Sequence, residues 1–239
     1  MVTAAVEADD GPTRPVQAEN LHGRHEGMDM NGFLHKGTWR LRCGTEVTCR
    51  PVTPEDAAGL GALMERLSPA ARRDRFHGAI NAISAERVRQ MSCVDQRQHV
   101  AFVVTAAIDG QDRIVADVRY VIDRSGTAPD GTGSAEFAVV VDERWQRRGV
   151  GEHAMQTLMN TAGAAGLGWM HGDVLANNGP MLALMRSCRF CCTPDRDDDH
   201  LMRVETSLAA RPERLLRSPH RGWRTWMPLW IGAGVASHA

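Results

Sequence analysis

Gln146-Arg147-Arg148-Gly149-Val150-Gly151 stands between an apolar run, Phe137-Ala138-Val139-Val140-Val141, and an amphipathic run from Glu152 to Ala165. The order reads as a strand, a tight basic turn and a helix. At the start of a helix the first backbone N–H groups have no intrahelical acceptor and the dipole presents its positive end, so such a turn favours an anion. Gly149 and Gly151 remove the Cβ atoms that would hold a ligand off the backbone, while Arg147 and Arg148 add charge that can pair with phosphate oxygens. The stretch therefore predicts a phosphate-binding turn. It is not a Rossmann fingerprint, because the third glycine is missing at its spacing, nor a Walker loop, because no Gly-Lys-Ser/Thr follows.

Downstream, Val150, Ala154, Leu158 and Ala162 form one stripe of a helix over 149–165, closed by Gly166 and Gly168. Trp169 to Leu175 reads as the next strand, and a strand-helix-strand unit implies a parallel pair. Asn177-Asn178-Gly179-Pro180 caps a further helix with Met181, Leu184 and Met185 inward, and Phe190 to Thr193 with Leu201 to Leu208 reads as a final hairpin.

Upstream, His99 to Ile108 and Arg113 to Asp123 predict an antiparallel hairpin turning at Asp109-Gly110, with Ile114, Ala116, Val118, Tyr120 and Ile122 on one face. Glu46 to Val52 alternates as a strand and meets Thr53-Pro54-Glu55-Asp56, a helix start followed by Leu60, Leu63, Met64 and Leu67 at helical spacing. Ser68-Pro69 restarts a helix carrying Arg72, Arg73, Arg75 and Phe76, whose arginines read first as a solvated face. Ser84 opens another with Val88 and Met91 on one side. Together these predict an α/β (α+β) fold with a mixed, mostly antiparallel central sheet flanked by helices.

A chain of 239 residues with 43% hydrophobic content accommodates one domain and tails: an extension over 1–44, disordered or loosely attached, a domain over 45–208, and a basic, Trp-containing tail over 209–239. That tail reads as docked on its own domain or disordered rather than as a membrane anchor, because Pro228 interrupts any helix through it. A net charge of -1 gives no reason to expect nucleic acid. Without an apolar run of about 18 residues the chain reads as soluble and cytoplasmic. Cys188, Cys191 and Cys192 near Asp197, Asp198, Asp199 and His200 lack a second ligand pair at structural-zinc spacing, so no metal is expected.

The hexapeptide 146–151 fits Gln/Arg-x-x-Gly-x-Gly/Ala, and on it the chain resembles the GNAT N-acetyltransferases, whose corresponding loop holds the acyl-CoA pyrophosphate. Leu67-Ser68-Pro69 through Arg75-Phe76, and Ala135-Glu136-Phe137-Ala138-Val139-Val140-Val141, resemble segments of bacterial Pat-type protein-lysine acetyltransferases. The resemblance covers about residues 46 to 208 and implies a GNAT fold with acetyl-CoA as acyl donor and direct attack by the acceptor. It assigns Gln146, Arg147, Arg148, Gly149, Val150 and Gly151 to the pyrophosphate. Val139, Val140 and Val141 would hold the pantetheine arm, with one of their amides facing the thioester carbonyl oxygen, and Asn178 would bond the cofactor.

Glu136 is the expected general base, because burial in an apolar strand raises a carboxyl pKa toward the range useful for taking a proton from an amine; the competing reading is a salt-bridged structural acid. Met185 stands where many relatives place a tyrosine general acid, which leaves that role unassigned. The acceptor expected is a protein lysine, with a small amine or antibiotic as alternative and a non-catalytic acetyl-CoA sensor as a third reading.

Overall fold

A computed structural model describes residues 36–76, 83–127 and 131–208. Expectations for residues 1–35 and 209–239, including the C-terminal tail, lie outside the described residues. Eight strands form one sheet in the order β1-β2-β3-β4-β5-β6-β8-β7: β1 (Gly37–Arg40), β2 (Glu46–Pro51), β3 (His99–Ile108), β4 (Gln111–Thr127), β5 (Gly133–Val141), β6 (Leu167–Leu175), β7 (Cys191–Pro194) and β8 (Leu201–Ser207). Every neighbouring pair is antiparallel except β5 and β6. That parallel pair is connected by α4 (Val150–Ala164), and α5 (Gly179–Ser187) follows β6.

The two faces of the sheet carry separate apolar clusters, as period-two alternation requires when both faces are covered. On one face Val118, Tyr120, Phe137, Val139 and Val141 pack with Ala154, Leu158, Leu182 and Met185 of α4 and α5. On the other, Val103 and Val140 pack with Leu60, Leu63 and Met91 of α1 (Ala57–Arg66) and α3 (Ala85–Ser92), and with Phe76 of α2 (Pro69–Phe76). Ser84 caps α3 by accepting from the Arg87 amide at 3.2 Å.

Two expectations need correction. The sheet begins inside the segment read as a loose extension: Gly37–Arg40 pairs with β2, and Trp39 packs against the larger core. Four residues are too few to display alternation, so only the tertiary partner reveals the strand. Ile114 does not share a face with Ala116, Val118 and Tyr120. Val104 pairs with Ala116 but Thr105 pairs with Ile114, so Val115 is a bulge that turns Ile114 toward α1. The Ile114 carbonyl then accepts from Arg66 at 2.7 Å and the Val115 carbonyl from the Asp142 amide at 2.9 Å.

Candidate active site

β5 and β6 part company early. Their parallel register runs from Gly133 and Leu167 to Glu136 and His171 and goes no further, although both strands continue to Val141 and Leu175. At the point of separation Gly172 has no side chain, and the Phe137 ring fills that space: a Cβ on Gly172 would lie 3.0 Å from Phe137 Cε1. Phe190 meets the same ring edge-on at 5.1 Å between centroids. An aromatic ring at the first unpaired position holds the strands apart and leaves the distal half of β5 without a β6 partner.

A cavity of about 620 Å³ occupies the opening, lined along one side by Val139, Val140 and Val141 and along the other by Asn178, Met181 and Leu184. At its mouth stand Gln146, Arg147, Arg148, Gly149 and Gly151. Gln146 donates its side-chain amide to the Val141 carbonyl at 3.0 Å, tying the turn to the strand end. Arg147 and Gly149 adopt left-handed φ values of 58° and 88°, and Gly149 is the residue before the first turn of α4. A Cβ on Gly151 would lie 3.0 Å from Leu184 Cδ2 and 3.5 Å from Val141 Cγ2, so its absence keeps β5, α4 and α5 close while the cavity stays open.

Of the residues expected at the cofactor, Val150 alone turns away. Its side chain is fully buried in the core with Leu158 and Met155, so only its backbone amide can serve a ligand. Asn178 accepts from the Met181 amide at 3.0 Å, capping α5, and also lines the cavity. Met185 is buried in the core, as is Tyr120, the only tyrosine of the chain, whose hydroxyl burial pushes up to about 12.

The cavity also has one wall that the sequence reading missed, on its β1 side. Trp39, Arg40, Leu41 and Arg42 close it from the β1 side, where the Trp39 ring stacks on His153 at 4.9 Å with 9° between planes. His153 Nδ1 in turn lies 2.9 Å from the Gly149 carbonyl oxygen. Ser68, Ala71, Asp74 and Arg75 of the α2 segment form the opposite wall. Trp39 beside Arg40 and Arg42 was the available signal, hidden by the lack of sequence periodicity before it.

Glu136 lies off the cavity lining, on the sheet face covered by α1 to α3. It is half-buried, directly across from Val121 on β4 and from His171 on β6. Asp123 and Asp173 share that face; Asp123 lies 3.9 Å from His171 Nε2, and Asp173 accepts from Arg203 at 3.2 Å. Burial raises the Glu136 carboxyl above the usual range, Asp173 and Asp123 push the same way, and Arg203 and Arg75 oppose them.

The segment joining β5 to the turn is rigidly held. Asp142 is buried and accepts from Arg66 at 3.0 Å and from Arg144 at 3.2 and 3.1 Å. Burial pushes its carboxyl up, but the hydrogen bonds from Arg144 and Arg66 outweigh it and hold it below the usual range. Glu143 accepts the Ser68 amide at 3.2 Å, fastening the start of α2 to the same segment.

On the α2 wall, Arg75 departs from the solvated-face expectation. Its side chain is only 10% exposed, with Nη2 3.9 Å from Asp117, while Arg73 is exposed and Arg72 donates to the Met64 carbonyl at 3.4 Å. The three arginines fall within four consecutive positions, so only the packing of α2 on the sheet distinguishes them.

Among the described residues no group of three or more His, Cys, Asp or Glu side chains is placed to hold a metal. No described helix is long and apolar enough to cross a membrane. The sequence profile of the acetyltransferase (GNAT) family matches residues 64–190. Acetyltransferase PA5475 of Pseudomonas aeruginosa is 32% identical over 155 residues, 65% of this chain and 80% of that protein. The GNAT domain of S. lividans PAT superposes with a TM-score of 0.63 at 26% identity, covering 72% of this chain and 96% of that one. yncA of Salmonella typhimurium, solved with its cofactor acetyl-CoA, shares the fold alone: 14% identity, TM-score 0.52, 69% of this chain and 95% of that one.

Proposed function

This chain belongs to the acetyltransferase (GNAT) family and is an N-acetyltransferase, and we propose that it moves an acetyl group from acetyl-CoA to a lysine amine of a protein in the cytoplasm. In this reading the diphosphate sits on the turn 146–151, the pantetheine arm runs along Val139–Val141 with Asn178 on its other flank, and Glu136 takes the proton of the attacking amine. The observation that carries the proposal is the loss of β5–β6 pairing beyond Glu136. It leaves main-chain groups of β5 facing a cavity whose mouth is a glycine turn at a helix N-terminus.

The chemistry of Glu136 fits the role. Acyl transfer needs a neutral amine, and a carboxyl whose pKa is lifted by burial is a better proton acceptor than an ordinary one. Asp123 and Asp173 on the same face give the approach an acidic character suited to an alkylammonium acceptor. Support for lysine comes from the Pat-type character of segments 67–76 and 135–141 and from the likeness to the S. lividans PAT domain. All six cysteines are free thiols, in keeping with a reducing compartment.

The test is incubation of the protein with radiolabelled acetyl-CoA and an extract of its source cell, followed by identification of the labelled species. Lys36 is the only lysine of the chain, so a Lys36→Arg protein removes self-labelling on lysine. Label on protein lysines is the expected result. Label confined to small amines would replace the acceptor, and binding of acetyl-CoA without transfer to any amine would leave a sensor.

A further inference from the structure

Arg75 carries a charge whose N–H groups find no hydrogen-bond acceptor among the described residues, although Asp117 at 3.9 Å and the Phe76 ring at 5.0 Å offset part of it. Its side chain is nine-tenths buried and lines the cavity, and its Nε is sealed from solvent without a hydrogen-bond partner among the described residues. The 3.9 Å contact with Asp117 is too long for a hydrogen bond. Asp117 is in any case engaged with Arg119, which donates to it from Nε at 3.0 Å and from Nη2 at 2.5 Å. Arg119 is further held by the Met91 carbonyl at 3.2 Å and by His99 Nε2 at 3.2 Å. Burial holds His99 down to about 4, with Arg119 adding to the effect, so it is neutral at physiological pH and brings no second cation.

The register places this unsatisfied guanidinium. Asp117 is directly across from Val140 and Arg119 from Ala138, so the network spans the part of β5 between the cavity-lining valines and Glu136. The Nη groups of this guanidinium, at the cavity lining, can take an oxygen acceptor from the ligand, and the more negative that oxygen becomes the greater the gain in a site of low dielectric.

We propose that Arg75 meets the carbonyl oxygen of the acyl thioester and stabilises the negative charge that builds on it during transfer. This role rests on the function proposed above. The amine nitrogen bonds to the carbonyl carbon and the C=O π pair moves onto the oxygen beside Arg75. The C–S bond then breaks, its electron pair leaving on sulfur as the carbonyl reforms, and the proton of the attacking amine passes to Glu136. A cation left short of acceptors in the ground state and matched as the oxyanion forms lowers the barrier rather than merely tightening binding. It adds a side-chain donor to the main-chain amide expected at the same oxygen.

Infrared difference spectra of acetyl-CoA carrying ¹³C at the thioester carbonyl test this without an acceptor. On binding, the carbonyl band of the wild-type protein moves to lower wavenumber, and Arg75→Gln returns much of that shift while calorimetry shows acetyl-CoA affinity retained. With a lysine peptide as acceptor, Arg75→Gln lowers kcat by about 100-fold with little change in KM, the scale of losing one oxyanion donor, and Arg75→Lys recovers part of it. Equal band positions in wild type and Arg75→Gln, or an unchanged kcat, would overturn the role. If neither variant folds, the wild-type spectrum decides, since a bound carbonyl at its free frequency refutes the contact. Failure of wild type to bind acetyl-CoA at all would instead remove the donor assignment, and this role with it.

Discussion

Gly149→Asp and Gly149→Asn form a pair that separates backbone strain from charge at the turn. Gly149 has φ of 88°, a conformation that costs an L-residue roughly 1–2 kcal/mol. A Cβ there would lie 3.7 Å from His153 Nδ1, ordinary contact, so no steric penalty is added. Both substitutions should therefore lower stability alike, by about 1 kcal/mol because Asn and Asp tolerate the left-handed region better than other side chains. Neither can act as a standard N-cap, which requires an extended backbone.

The two differ in charge alone. A carboxylate about 5 Å from a phosphate oxygen repels it by ~3 kcal/mol at an effective dielectric near 20. Gly149 is half-exposed, so solvent and salt reduce this by about half, leaving roughly a tenfold loss of affinity for Asp relative to Asn. Calorimetry with CoA at low and high ionic strength measures it, and the gap should narrow as salt rises. Equal affinities for the two variants at low salt would refute the placement of an anion on this turn, whatever their melting temperatures.

Glu136→Gln should lower turnover at neutral pH by about 100-fold or more while CoA affinity is retained. Its carboxyl pKa is raised, so wild-type kcat/KM should climb with pH through a value above the usual carboxylate range, and a variant that keeps the same limb would exclude Glu136 as the base. Gly172→Ala should destabilise by about 1–3 kcal/mol, because the new methyl overpacks the Phe137 ring at 3.0 Å; an unchanged denaturation midpoint would mean the strands part for another reason. Asp142→Asn should cost about 2 kcal/mol at neutral pH through weakened hydrogen bonds to Arg66 and Arg144. The folded carboxyl is held below its unfolded value, so its stabilisation is complete above the unfolded pKa and lost as pH falls through the folded one. Denaturation of both proteins should therefore converge in acid, and a gap that widens there would reverse the assignment.

What the sequence determined by itself was local. The strand 133–141, the basic glycine turn, the helix after it and the Asn178 cap are each written in neighbouring residues, because alternation, helical spacing, capping and freedom at positive φ act over a few positions. The position of Glu136 in an apolar strand was legible for the same reason, but not the company of Asp123, Asp173 and Arg203, which arrive from three other strands.

Tertiary structure alone decided the rest. Four residues at 37–40 become a strand only because β2 offers an edge, and they bring Trp39 onto His153. Val115 bulges and turns Ile114 to the opposite face, and the apolar run Ile114-Val115-Ala116 does not say which of the three leaves the alternation. Val150 turns into the core from within a stretch whose neighbours face the cavity, and Arg75 is buried while Arg73, two positions away, meets solvent. In each case the side chain's fate depends on a surface brought from far along the chain. Local pattern states which residues can be buried or exposed, and only the assembled packing states what they are buried against.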